Sequence, residues 1–313
     1  MLRYSLIRMF LMVVTLFLIV SLVQFFGNVA MFSKWSMQHP LYEDFILAWG
    51  RYKVFLSDVV SDWYFGDSFL YNQDAWELAI SKMWVTVKIN LAAYVFYVSF
   101  GFTLGILAAV YKNSVFDKVV VNAILAIGSI PIYIMILALI LFFGYRLFIL
   151  DPLYTQVGEG LIEQLKGLII PVLALSFWPM ANIIRLTRAE VIDELSDEFI
   201  YILRAKGLTR RQIIFRHTIK HVLTTIIPEM TNTFVVILSF SFLMEIVYQV
   251  PGVAKLMYDS IVTSSGFGNT VYLDLANVIV VGGFYAFLAL LIGFINDMIL
   301  PLIDPRIKMG VKR

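Results

Sequence analysis

This chain has few tools for chemistry. It contains no cysteine and only three histidines, His39, His217 and His221, so disulfides, sulfur redox steps and thiolate metal sites are excluded. His217 and His221 stand four apart, a spacing that puts both imidazoles on one helical face and could suit a metal. They lie in a dense basic segment where contact with lipid or protein accounts for them as well, and no metal site is assigned. No G-x-x-x-x-G-K-[ST] phosphate loop is present, so the chain is not expected to hydrolyse ATP by itself. What remains are isolated polar groups in apolar surroundings. Glu229 follows Pro228 about seven residues into an apolar run, roughly 10 Å along a helix at 1.5 Å per residue, with Asn232 one turn on. An ionisable group placed there faces a cavity or a partner, or satisfies backbone freed near the proline. Glu245 ends the same run just before Val250-Pro251-Gly252, a string that turns the backbone sharply. Lys88 and Asp297 stand near the ends of apolar runs, where snorkelling explains them.

These residues must be positioned by helices in a bilayer. The 313 residues are 60% hydrophobic and 15% charged, which marks an integral membrane protein. The net charge of +2 gives no argument for nucleic acid. A helix crossing the hydrocarbon layer needs about 20 mostly apolar residues. Six runs qualify: Met9 to Ser33, Val85 to Tyr111, Val119 to Tyr145 with Pro131 inside, Gly167 to Ile184 with Pro171 and Pro179, Val222 to Met244, and Leu275 to Ile303. The prolines predict kinked helices packed in a bundle, which re-satisfies the carbonyls they free. The first run is longer than a secretory core and no A-x-A site follows, so it reads as a retained anchor. Without visible repeats or a flexible linker, residues 1–313 read as one domain.

Charge sets the expected orientation. Arg3 and Arg8, Lys112 and Lys118, the set from Arg185 to Lys220, and Arg306, Lys308, Lys312 and Arg313 all fall on one side if six spans alternate. The positive-inside bias makes that side cytoplasmic, with both termini on it. The loop at about 34–82 is then external, and its tryptophans, among them Trp49, Trp63 and Trp76, have the chemistry of helices at a membrane interface.

One polar segment, about 185–221, stands out. Ser196 is a candidate N-cap, with Asp197 and Glu198 in a first turn that favours carboxylates. Phe199, Ile202 and Leu203 fall at i, i+3 and i+4 as an apolar stripe, and Arg204, Ala205 and Lys206 close the helix at its cation-favouring end. Gly207 can take the left-handed stop, with Leu208 supplying the accompanying apolar contact. Thr209 and Gln212 form a capping box for the next helix. The first helix is too short to stand alone in water. It is supported either by its own protein and anionic lipid or by the groove of another protein.

The run from Arg185 to His221 resembles the cytoplasmic coupling loop of binding-protein-dependent ABC importer permeases, in particular the first permease of the oligopeptide, dipeptide and nickel subfamily. Arg188-Ala189, Arg204-Ala205-Lys206-Gly207-Leu208 and Arg216-His217 carry the likeness, joined in order by Met1-Leu2-Arg3-Tyr4, Gly66-Asp67-Ser68, Ser129-Ile130-Pro131, Ile170-Pro171-Val172-Leu173-Ala174-Leu175, Met244-Glu245 with Val250-Pro251-Gly252, and Asp304-Pro305-Arg306. Two features depart from the family pattern. Asn28-Val29-Ala30-Met31 stands where a Pro-Gly-Asp-Pro-like string is usual, and Leu203 where a small residue is common.

The resemblance implies an all-α membrane protein of six transmembrane helices, a type I ABC importer permease bundle with a cytoplasmic coupling helix and an external loop after span one. It implies a multi-pass protein of the bacterial cytoplasmic membrane that forms half of a translocation path for peptides. Its partners would be a second homologous permease, two cytoplasmic ATPases and an extracytoplasmic substrate-binding protein. It implies no cofactor in this chain, with ATP and Mg bound by the ATPases. Phe199, Ile202, Leu203, Arg204, Ala205, Lys206, Gly207 and Leu208 would couple to an ATPase, and Glu229, Asn232 and Glu245 are candidates for the path. Nickel or another small solute remains an alternative cargo. A secondary transporter would show paired halves and several buried ionisable groups, and a membrane scaffold would suit the aromatic external loop.

Overall fold

The computed structural model describes residues 2–35, 41–154, 158, 160–261 and 273–303. His39 and the basic C-terminal positions, including Asp304-Pro305-Arg306, lie outside the described residues. The element order is α1 (Leu2–Trp35), α2 (Leu41–Asp62), β1 (Asp67–Ser68), β2 (Gln73–Asp74), α3 (Ala75–Val110), α4 (Val115–Gly128), α5 (Ile132–Leu139), α6 (Leu161–Ser196), α7 (Glu198–Ala205), α8 (Arg210–Ile213), α9 (Ile219–Val247), α10 (Val253–Ile261) and α11 (Leu275–Ile303). Ile140–Arg146 and Ile214–Thr218 continue α5 and α8 as π-helix.

Among the described residues, five helices are long and apolar enough to cross a membrane unbroken: Tyr4–Met31, Ala75–Val110, Leu161–Ser196, Arg210–Val247 and Leu275–Ile299. The sixth expected span is not one rod. Val115–Gly128 and Ile132–Arg146 meet at 102°. Pro131 explains the break, since it lacks an N–H and pushes Ile130 out of the helical region. The end of α4 is closed instead by Ser129, whose Oγ donates to Leu125 O at 2.7 Å. Pro171, Pro179 and Pro228 sit inside unbroken helices. The segment at 34–82 is also more ordered than a loop, because α2, the two-stranded hairpin and the first turns of α3 fill most of it.

The chain divides into two compact units. The first joins Leu2–Val87 to Gln249–Leu291. Its core is Ala75, Ala79, Val253, Leu256, Val280 and Val281, against which Phe65 and Trp76 pack. Ser68 Oγ donates to Asp274 Oδ2 at 2.6 Å, and Asn277 Nδ2 reaches Ser68 Oγ and Ser260 Oγ at 3.0 Å each. This buried cluster pins the hairpin to the start of α11. Burial, with Asp259 and Asp274 nearby, pushes the adjacent Tyr71 phenol up.

The second unit joins Lys88–Tyr248 to Ile292–Arg313. Here α6 packs along α9 and beside α4 and α5. Gly101 and Gly105 let α3 approach α6 closely, as in small-residue membrane interfaces. A Cβ on Gly101 would lie 2.3 Å from Ile183 Cγ2, and one on Gly105 2.6 Å from Thr187 Cβ. Buried polar pairs fix the register: Asn90 Nδ2 donates to Ser241 Oγ at 2.8 Å, and Ser176 Oγ to Ala93 O at 2.9 Å.

Candidate functional site

The basic corner between α6 and α9 is built by local chemistry. α6 runs through Ser196, whose Oγ bonds back to Ile192 O at 2.8 Å. Asp197, rather than the expected Ser196, is the N-cap of α7, and its Oδ1 accepts from Phe199 N at 3.2 Å. The carboxylate is favoured there by the N–H groups and the positive end of the helix dipole. At the other end Gly207 takes φ +80°. Leu208 N donates to Leu203 O at 3.2 Å and Gly207 N to Arg204 O at 2.9 Å, which is a complete Schellman closure. Thr209 N and Gln212 N then exchange bonds with Gln212 Oε1 and Thr209 Oγ1 at 2.9 and 3.3 Å, starting α8 with the expected capping box.

The inward face of α7 differs from the expected stripe. Ile200 and Leu203 are buried with Ile213, and Leu195 and Leu208 pack against them. Phe199 and Ile202 point outward, 41% and 56% exposed, beside Tyr201 at 66%. Ile200 was missed because residues 199–203 are apolar all round, so spacing alone does not select one face. Leu203, the departure noted above, is the residue whose carbonyl and side chain both meet Leu208. Arg204, Ala205, Lys206 and Gly207 are exposed. The corner therefore has an inner set, Ile200, Leu203, Leu208 and Ile213, and an outer set led by Phe199, Tyr201 and Ile202.

Two basic residues brace the corner. Arg188 on α6 grips Asp117 in the first turn of α4, with Nε to Oδ1 at 2.6 Å and Nη2 to Oδ2 at 2.8 Å. Asp117 also accepts from Asn113 N at 2.9 Å. Arg210 on α8 donates to Val110 O, the last carbonyl of α3, at 2.8 Å. These bonds tie α6 to α4 and α8 to the end of α3. The π-turn Ile214–Thr218 holds Arg216 and His217, and the Phe199 ring sits edge-on to His217 at 6.1 Å. Among the described residues no cluster of histidines and carboxylates is arranged to hold a metal ion.

A second polar feature runs along the seam of α6 and α9. Asn182 Nδ2 donates to Glu229 Oε1 at 3.0 Å, and Arg185 Nη2 donates to Asn182 Oδ1 at 2.9 Å. Asn182 and Arg185 also line a cavity of about 310 Å³ with Gly128, Ser129 and Trp178, beside the broken end of α4. Asn232 is exposed on α9. Glu245 is fully buried within the unit. Asn182 was not singled out from the sequence and Arg185 only as the start of the basic set; their one further signal there was a polar pair one turn apart at the end of the fourth apolar run.

Comparison with known proteins places this architecture. Residues 101–309 match the family described as binding-protein-dependent transport system inner membrane component. The dipeptide transport system permease protein DppB of Lactococcus lactis subsp. cremoris (strain MG1363) is 26% identical over 322 residues, covering 99% of this chain and all of that protein. The oligopeptide transport system permease protein OppB of Salmonella typhimurium is 30% identical over 268 residues, covering 82% of this chain and 86% of that protein. An inward-facing structure of the MetNI methionine ABC transporter superposes with TM-score 0.55 over 72% of this chain and 96% of that one, at 19% identity, and so shares the fold. The chain belongs to the family of binding-protein-dependent transport system inner membrane components. It is the multi-pass permease subunit of an ABC importer, and not an enzyme.

Proposed function

We propose that this permease forms half of a peptide translocation path and pairs with a second homologous permease in the bacterial cytoplasmic membrane. An extracytoplasmic binding protein delivers the cargo, and two cytoplasmic ATPases that bind ATP and Mg supply the energy. Both termini face the cytoplasm. The observation that carries the coupling role is the outward face of α7, where Phe199, Tyr201 and Ile202 stay exposed on a helix capped at both ends. A short, doubly capped helix with apolar side chains held outward is suited to a partner's cleft. The peptide cargo is supported by the dipeptide and oligopeptide permeases among its relatives.

In the path, Glu229, Asn182 and Arg185 present a carboxylate, an amide and a guanidinium in one hydrogen-bonded row, the groups that meet peptide amino termini, amides and carboxylates. Asn232 extends this row one turn along α9. The test is uptake by the reconstituted complex of permeases, ATPases and binding protein. Labelled peptides should accumulate only with ATP, and Ile202→Asp should abolish uptake while leaving membrane insertion intact. Uptake driven by an ion gradient without ATP rejects the reading, and uptake of nickel but no peptide rejects the cargo.

A further inference from the structure

In the second unit, α4 ends at Gly128 and the chain turns by 102° into α5, beside a cavity of about 310 Å³ that opens between the end of α4 and the face of α6. Gly128 and Ala181 give the cavity a floor without bulk, and a Cβ on Gly128 would already lie 2.7 Å from Ala181 Cβ. Leu125 and Trp178 give it apolar walls. The indole is held edge-on against Phe240 at 5.4 Å, while 41% of Trp178 stays exposed. Small-ligand pockets run from roughly 300 to 1,000 Å³, so this one takes one end of a peptide rather than the whole of it.

Its polar groups narrow which end. Arg185 Nη2 donates to Asn182 Oδ1 at 2.9 Å, and Asn182 Nδ2 donates on to Glu229 Oε1 at 3.0 Å. The first bond holds the guanidinium in place, but its acceptor is a neutral amide and takes up only one N–H group, so the positive charge is positioned without being cancelled. Ser129 gives its hydroxyl proton to Leu125 O at 2.7 Å, which leaves its Oγ to a ligand only as an acceptor. A guanidinium for an oxyanion, a hydroxyl oxygen for an N–H and an indole wall for an apolar group stand side by side. They match the carboxylate, amide N–H and side chain of a C-terminal amino-acid residue. A lipid phosphate answers Arg185 but brings no amide N–H to Ser129.

We propose that this cavity is the subsite for the C-terminal residue of the peptide cargo. The free carboxylate lies on Arg185, the amide N–H on Ser129 Oγ, and the side chain against Trp178 and Leu125. Asn182 is the positioning residue that holds the guanidinium. The inference rests on the peptide reading of the path and adds which end of the peptide is read there and by which groups.

The test is uptake of alanyl-alanyl-phenylalanine, as free acid and as C-terminal amide, by the reconstituted complex with its binding protein in excess. The binding protein is the same in every arm, so a change in the acid-to-amide ratio between parent and variant belongs to the permease. Arg185→Gln should lower that ratio on the order of tenfold, the scale of one charge-assisted hydrogen bond. Arg185→Lys keeps the charge without the planar fork and should recover most of it. Trp178→Ala should keep the ratio but lower uptake of this peptide several-fold relative to alanyl-alanyl-glycine. In the parent, a benzophenone on the C-terminal residue should crosslink to α4 or α6, and the same group on the N-terminal residue should not. Four results overturn the subsite while peptide uptake by the parent stands: a ratio unchanged in Arg185→Gln, equal loss of acid and amide uptake, a C-terminal crosslink found only outside α4 and α6, or a phospholipid retained by the parent and lost in Arg185→Gln on native mass spectrometry. Failure of the parent to take up either form rejects the peptide reading itself, and the subsite with it.

Discussion

Gly207 holds a left-handed φ of +80°, and a Cβ there would meet nothing within 4 Å, so the cost of a side chain is purely torsional. That cost is about 1–2 kcal/mol for a non-glycine residue. Gly207→Ala should therefore leave the spans folded while loosening the Leu208–Leu203 closure that aims α7. The expected result is an unchanged thermal midpoint of the bundle with a several-fold loss of ATP-driven uptake, read in the same preparation. Equal uptake would show that the left-handed stop has no mechanical role. A larger cost attaches to Asp117, which is buried while its partner Arg188 keeps 28% of its side chain exposed. Truncating one member of a buried pair costs roughly 3–5 kcal/mol, and the exposure of Arg188 places Asp117→Ala near the lower end. Thermal unfolding of Asp117→Ala, Arg188→Ala and the double variant should give a coupling energy well above the ~1 kcal/mol of surface pairs.

At the scale of elements, what was legible in the sequence was what local chemistry decides. The glycine stop, the Leu208 contact and the Thr209–Gln212 capping box each depend on residues within six positions, and all three appear where their spacing put them. The inward face of α7 was not legible, because five consecutive apolar residues define no stripe and only Ile213 on the next helix selects Ile200 and Leu203. The cap moved by one residue for a similar reason: Ser196 found a carbonyl in its own preceding turn, leaving Asp197 to cap. Proline gave an ambiguous signal, since Pro171, Pro179 and Pro228 sit in continuous helices while Pro131 starts a new one at 102°. The seam of Asn182, Arg185 and Glu229 exists only once α6 lies along α9, which no single-helix pattern encodes. Close packing of α3 on α6 rests on glycine. Gly101→Leu should force α3 off Ile183 and lower the thermal midpoint by several degrees, whereas the same change at Gly293, where a Cβ meets nothing within 4 Å, should be nearly silent.

For the whole molecule, orientation in the bilayer and contact with an ATPase can be separated because the natural chain has no cysteine, so every introduced thiol is a unique reporter. Ser57 on α2 and Lys112 between α3 and α4 are both exposed, and the basic-residue asymmetry assigns them to opposite sides of the membrane. A membrane-impermeant maleimide should label Ser57→Cys in intact spheroplasts and Lys112→Cys only after permeabilisation. The reverse pattern would invert the proposed topology and place α7 where no nucleotide-driven partner can reach it. Ala205→Cys adds the second half of the argument, since its side chain is exposed on the isolated chain beside the Gly207 corner. If α7 seats in an ATPase, this thiol should react after permeabilisation when the permease is expressed alone, and become protected when the ATPases are co-expressed. Lys112→Cys measured in the same pair of strains controls for general loss of access. Protection of Ala205→Cys without protection of Lys112→Cys would assign the partner's cleft to the end of α7, while equal labelling with and without the ATPases would leave the exposed Phe199, Tyr201 and Ile202 face to lipid.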